Sequence, residues 1–197
     1  MPSKIFLDDP IPQQAAVVRA CAACNNGLSA HEEYLACTID VALAGTTEPG
    51  ALRRKVRGIL EHSPGARQTL RTVAHRSRGH PPAVDRAERV AAVLVKLAKG
   101  HALYELHEPQ YLPPTSVHFT GLHTFSPAQL EKFEAPAVAA IWPEVGSRAM
   151  QRLAEEGSAG WVVVQPGRYR FLAQTGGPVL VRMVLSEYLA AEVTWDP

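Results

Sequence analysis

Cysteine is scarce in this chain, long apolar runs are missing, and neither sign of charge dominates. Three cysteines in 197 residues make a poor disulfide framework, because one must stay unpaired and two lie only three positions apart. No stretch approaches the roughly 20 consecutive apolar residues needed to cross a bilayer. The opening MPSKIFLDDP has no apolar signal core, so the expectation is a soluble protein of the cytoplasm. Lys and Arg number 20 against 19 Asp and Glu, so no global field draws the molecule to nucleic acid, and any such binding needs a local patch. Catalytic signatures are also few. There is no glycine-rich phosphate loop, no G-x-S-x-G turn and no H-E-x-x-H pair among the eight histidines.

What is present is the composition of a globular chain, 46% hydrophobic and 20% charged, long enough to bury a core. DDPIP reads as a turn between two short apolar pieces. Val17 and Val18 favour a short strand leading into the cysteines. Ser29-Ala30-His31-Glu32 has the form of a capping box, with Leu35, Ile39, Ala42 and Leu43 behind it at helical spacing and Gly45 as a stop. Two further helical pieces, Leu52 to Leu60 and Gly65 to Val73, are split by Ser63-Pro64-Gly65. A longer helix is expected over 84–102, with Val90, Val93, Leu94, Leu97 and Ala98 facing inward. Proline and glycine punctuate 109–127, where little regular structure is expected. The chain then turns strand-like at Trp161 to Gln165, Arg168 to Ala173 and Val179 to Leu185, with hairpin connections at Pro166-Gly167 and Thr175-Gly176-Gly177-Pro178. Residues 187–195 lean toward a further strand.

The chemistry-bearing residues cluster near the start. Cys21 and Cys24 form a C-x-x-C knuckle that can present two thiolates to one metal, which is half of a four-ligand structural zinc site. Within the chain, Cys37 and His31 are poor completers. Cys37 lies on a nearly apolar stretch and reads as a core residue, while His31 is in the first helical turn and reads as solvent-facing. A redox role for the pair is disfavoured because Asn25-Asn26-Gly27 separates it from the helix. A second feature is the basic run from Arg53 to Arg89, which includes Arg53, Arg54, Lys55, Arg57, Arg67 and Arg71. It is either a solvated helical face or a nucleic-acid patch. His118 and His123 are a conceivable functional pair, and Trp142, Trp161 and Trp195 read as core or sheet anchors.

The string VVRACAACNNGLSAHEEYL resembles bacterial HNH endonuclease-like proteins of the pattern V-P-x-C-x-x-C-N-N-x-x-S-x-x-E-E-Y. The resemblance implies the closing half of a ββα-metal motif, and its specific motifs are confined to residues 1–35. By that likeness Cys21 and Cys24 would sit on structural zinc as half a site, and Asn25 would sit at a catalytic Mg or Mn ion. Met1 stands where the family has valine, Pro2-Ser3-Lys4 match the residues that follow, and Gln14 stands where the family has another Asn. The family's general-base histidine, its acidic neighbour and the first cysteine pair would all fall upstream of Met1, so no residue of this chain is assigned as catalytic. The expectation is therefore an inactive or N-terminally shortened form, which a GTG valine codon mistaken for a start would explain. The family form hydrolyses DNA, with a histidine activating water and a cation absorbing charge at the phosphate.

The expected architecture is α+β: a partial HNH/zinc-knuckle module over 1–46, then a helical segment followed by an antiparallel sheet over 47–197, either separate from the first module or continuous with it. Lys4, Arg53, Arg54, Lys55 and Arg57 are the candidate nucleic-acid contacts, with DNA as the expected partner. The alternative to a nuclease is a non-catalytic DNA-binding or protein-interaction module that uses the Arg-rich segment 53–89.

Overall fold

A computed structural model of the chain describes residues 3–13, 18, 26–76, 87–136, 143–156 and 160–196. Helix α1, Ser29–Ala44, runs through the middle of the helical layer. Every residue from Leu35 to Ala42 is buried, polar Thr38 and Asp40 included, as expected for a helix surrounded on all sides. It packs against α2 (Arg54–His62), α3 (Pro64–Arg76), α4 (Ala87–His101) and an N-terminal 3-10 turn, Lys4–Phe6.

Two details of α1 depart from the sequence reading. Leu28 holds the N-cap position and makes no side-chain cap, so Ser29 is inside the helix, and the Glu32 carboxylate instead accepts from Lys96 Nζ of α4 at 2.8 Å. Leu43 lies outside the apolar stripe, 51% exposed, although Val41 and Ala42 of the same turn are buried. Gly45 ends the helix as expected, at φ 64°, a conformation open to glycine at little cost.

Pro64 breaks α2 from α3, as the SPG triplet implies, and it opens α3, where its missing N–H is harmless. Helix α4 turns Val90, Val93, Leu94, Leu97, Ala98 and His101 into the core, the i, i+3, i+4, i+7 spacing of one face. It then continues into a π-helical turn, Ala102–Leu106. Because α4 touches α1 on one side and β1, β4 and β5 on the other, it bridges the helical layer and the sheet.

The sheet is fully antiparallel, in the order β1-β5-β4-β3-β2, from strands β1 Ser116–Gly121, β2 Val162–Gln165, β3 Tyr169–Thr175, β4 Val179–Leu185 and β5 Leu189–Trp195. The last four form a meander, and its first two hairpins fall at the expected glycine-bearing turns. Strand β1 contradicts the expectation of no regular structure over 109–127. Its six residues have little local signal amid prolines and glycines, and pairing with the last strand, with Ser116 opposite Thr194, organises them.

Alternation along the strands gives the sheet two different faces. The inner face, with Tyr169, Phe171, Val181, Met183, Ala191 and Val193, joins the helices in one buried cluster. That cluster also includes Phe6, Leu7 and the α1 residues, so the core is continuous across residue 46. The outer face carries a smaller cluster of Phe133, Val184 and Ala190, with Leu122, Phe125 and Trp161 against it, under helix α5 (Pro127–Glu134). Helix α5 has the capping box that α1 lacks, between Ser126 and Gln129. Helix α6 (Arg148–Glu156) is held by Arg152, which pairs with buried Glu105 of the π turn. Among the described residues, no helix is long and apolar enough to cross a membrane.

Candidate functional site

Cys21, Cys24 and Asn25 lie outside the described residues, as do Met1, Pro2 and Gln14. Of the short strand expected at Val17 and Val18, only Val18 is described, and it is in no regular element. No histidine of this chain stands near Met1 in sequence: the first is His31, which belongs to α1.

The structure does describe the two pieces that flank the knuckle, the segment Ser3–Gln13 and the opening of α1. The flanking segment is tightly anchored. Phe6 and Leu7 are buried in the main cluster. Asp8 N–H donates to Gln165 Oε1 at 2.7 Å, and Gln165 Nε2 donates back to the Asp8 carbonyl at 3.2 Å. These bonds fasten the start of the chain to the end of β2, 157 residues away.

Charge reinforces the anchor. The Asp8 carboxylate accepts from Arg168 Nε and, at 3.3 Å, from Arg53 Nη1. Burial pushes the Asp8 carboxyl up, but hydrogen bonds and attraction from Arg168 and Arg53 outweigh it, holding the group below its ordinary 3.8. Arg53 is the hub of the site. Its Nε lies 2.6 Å from Asp40 Oδ1 of α1, its backbone N–H donates to Asp40 Oδ2 at 3.1 Å, and Nη1 also reaches the Ile5 carbonyl at 3.4 Å. The Arg53 side chain is 11% exposed and that of Asp40 only 4%. Lys55 completes the set by donating to the carbonyls of Lys4 and Leu7 at 2.9 and 2.8 Å and pairing with Asp9 at 3.1 Å.

These contacts revise how the basic run is used. Arg53 and Lys55 hold the protein's own N-terminal segment, and Arg57 donates to the carbonyls of Pro49, Gly50 and Leu52 while remaining exposed. The side chains of Lys4 and Arg54 are exposed and free of any such contact among the described residues. Of the five candidate nucleic-acid contacts, two are therefore mainly internal ties. Asp8, Asp40, Gln165 and Arg168 belong to the site, yet nothing in their local sequence marks them; only the doubled aspartate of LDDP hints at a fixed role.

Other candidates resolve separately. Cys37 is a buried core residue, as expected, and burial together with Asp40 and Glu33 pushes its thiol up to about 12. His31 is half-buried rather than solvent-facing, with Nδ1 buried and unpartnered. His118 and His123 point to different neighbours: His118 lies on the outer sheet face, and the His123 ring packs 5.6 Å from Tyr188. Trp161 and Trp195 anchor the outer and inner faces of the sheet, and Trp142 lies outside the described residues. Among the described residues, no three side chains of His, Cys, Asp or Glu converge as a metal site.

The most unusual titratable group is His101. It is fully buried, its Nε2 is 2.8 Å from the Tyr169 hydroxyl, and its ring stacks 3.7 Å from that of Phe171. Burial holds the imidazole well below its ordinary 6.5 and raises the Tyr169 hydroxyl far above 10. Both groups are therefore neutral and are joined by one hydrogen bond between α4 and β3, which leaves His101 Nδ1 buried without a partner.

Comparison with protein-family models, with curated proteins and with solved structures finds no match.

Proposed function

We propose that this chain is an HNH endonuclease-like protein of the zinc-knuckle ββα-metal type, from a lineage that hydrolyses DNA phosphodiesters on a divalent metal. The observation that carries the reading is the string CAACNNGLSAHEEYL, whose Glu32-Glu33-Tyr34 lies in the opening turns of α1, the helix that the resemblance implies after the knuckle. In this reading Cys21 and Cys24 would supply two of the four ligands of a structural zinc and Asn25 would help hold a catalytic Mg or Mn ion, whose chemistry would be to offset charge at the phosphate. By the resemblance, residues 1–7 are the stretch that follows the general base in the family, and Asp8 adjoins it. The contacts of Asp8, Arg53, Lys55 and Gln165 would then keep that segment in register with α1, a requirement for positioning a base against its metal.

No residue of this chain matches the family's general-base histidine, so the chain by itself is not expected to cleave. The test has two parts. The genomic DNA before codon 1 is read, and DNA nicking is assayed with Mg or Mn for this chain and for the protein with any upstream frame included. The expected result is a GTG first codon at Met1, an upstream frame bearing C-x-x-C and an acidic-His pair, and cleavage by the longer protein alone. An ATG codon with no such frame, or a longer protein that fails to nick, would remove the nuclease reading.

The alternative is a DNA-binding or interaction module without catalysis. It would use the Arg-rich segment 53–89, in which Arg54, Arg57, Arg71 and Arg89 are exposed, together with exposed Lys4. Salt-sensitive DNA binding without cleavage, lost on replacing Arg54 and Arg57, would favour it.

A further inference from the structure

On the outer face of the sheet, beneath α5 and remote in sequence from the cysteine knuckle, a cavity of about 440 Å³ opens between helix and strands. That volume is within the range of small-ligand pockets, roughly 300–1,000 Å³. Its floor is set by strand register. His118 of β1 stands opposite Glu192 of β5, and Glu192 stands opposite Arg182 of β4, so the three side chains form one transverse row. The neighbouring row begins with Thr120 opposite Ala190. Ala190 is covered by Phe133, so the open part of the floor lies at Thr120 and His118, and Phe125 and Phe133 supply aromatic walls, their ring centroids 5.3 Å apart.

The polar groups differ in what they have free. Arg182 is committed: Nε donates to Glu192 at 2.7 Å, and Nη1 donates to the carbonyls of Phe133 and Ala135 at 3.0 and 2.8 Å, closing the C-terminal end of α5. That pairing also consumes the Glu192 charge. Lys132 and His118 are exposed at the mouth, and neither side chain has a partner among the described residues. With Glu192 offset by Arg182, the uncompensated charge of the lining is positive and comes from Lys132.

We propose that this cavity is a binding site for a small ligand made of a flat ring bearing one anionic group. The ring lies over Thr120 against the Phe125 and Phe133 wall, and the anion meets the Lys132 ammonium with His118 beside it. An aromatic carboxylate and a nucleoside monophosphate share this chemistry. The inference is independent of the nuclease reading, since it uses none of the same residues.

Titration of the full chain with benzoate, adenosine 5′-monophosphate and the uncharged analogue benzamide, followed by calorimetry and by NMR of the β1 and α5 resonances, separates the outcomes. One or both anions should bind and shift Phe125, Phe133 and Thr120, and benzamide should bind about tenfold more weakly or worse. Whichever anion binds identifies the source. Lys132→Glu, a change on the exposed side of α5, should weaken anion binding by about tenfold or more. Thr120→Phe, which fills the floor, should abolish it, while far-UV dichroism of both variants stays that of the parent. Binding of neither anion at about 10 mM, equal binding of benzamide, or full affinity in Lys132→Glu would overturn the proposal.

Discussion

At neutral pH the His101 imidazole is uncharged and buried, with one nitrogen bonded to Tyr169 and the other without a partner. In the unfolded chain the same imidazole titrates near 6.5. As pH falls below that value the unfolded state takes up a proton that the folded state refuses. Stability is therefore complete above the unfolded value and declines below it, until the folded group itself protonates. One proton of difference is worth about 1.4 kcal/mol per pH unit. Between about pH 7.5 and about pH 5.5 His101 alone should then remove roughly 1.4 kcal/mol, provided the folded imidazole stays neutral throughout. Against a total stability of about 5–15 kcal/mol that is large enough to resolve by urea unfolding. His101→Gln is the informative variant, because an amide can still bond the Tyr169 hydroxyl but cannot titrate. The unfolding free energies of the two proteins should converge by roughly 1.4 kcal/mol as pH drops over that window. A difference that stays constant with pH would show that His101 is hydrated or charged in the folded protein and would refute the reasoning.

Two further outcomes concern the Arg53–Asp40 pair and the turn between β4 and β5. Arg53→Ala strips the hub from Asp40, whose carboxylate is almost wholly buried, and should cost about 3 kcal/mol in urea unfolding, whereas exposed Arg54→Ala should stay within about 0.5 kcal/mol; equal costs would mean the ion-pair network is not formed. The turn between β4 and β5 holds Ser186 and Glu187 at φ 53° and 47° with no glycine, so Ser186→Gly should stabilise the protein by about 0.5–1 kcal/mol in the same assay, and a loss of stability would show that the turn is not left-handed there.

Local pattern carries much of this fold. The apolar spacing of α4, the SPG break between α2 and α3, the Gly45 stop and the glycine-bearing hairpins of β2 to β4 are each written within about a dozen neighbouring residues, which is the range over which helix and hairpin signals act. Strand β1 is not legible, because its order comes from pairing with β5, some seventy residues further on. The α1 cap misleads because Ser29 and Glu32 have the right spacing, but α4 presents Lys96 to Glu32 and the N-cap is Leu28.

By itself, then, the sequence determined helices α1 to α4 and the meander of β2 to β5, but not β1, α5 or α6. Only the tertiary structure decided how the charges are used. Arg53 and Lys55 look like an exposed basic run in one dimension, yet packing of α2 against α1 and the N-terminal segment brings Asp40, Asp8 and free carbonyls to them. His118, Glu192 and Arg182 are scattered along the chain and become a single row only through strand register. Long-range pairing of this kind leaves little trace in local sequence, since a charged residue looks the same whether its partner is water or a carboxylate more than a hundred positions away.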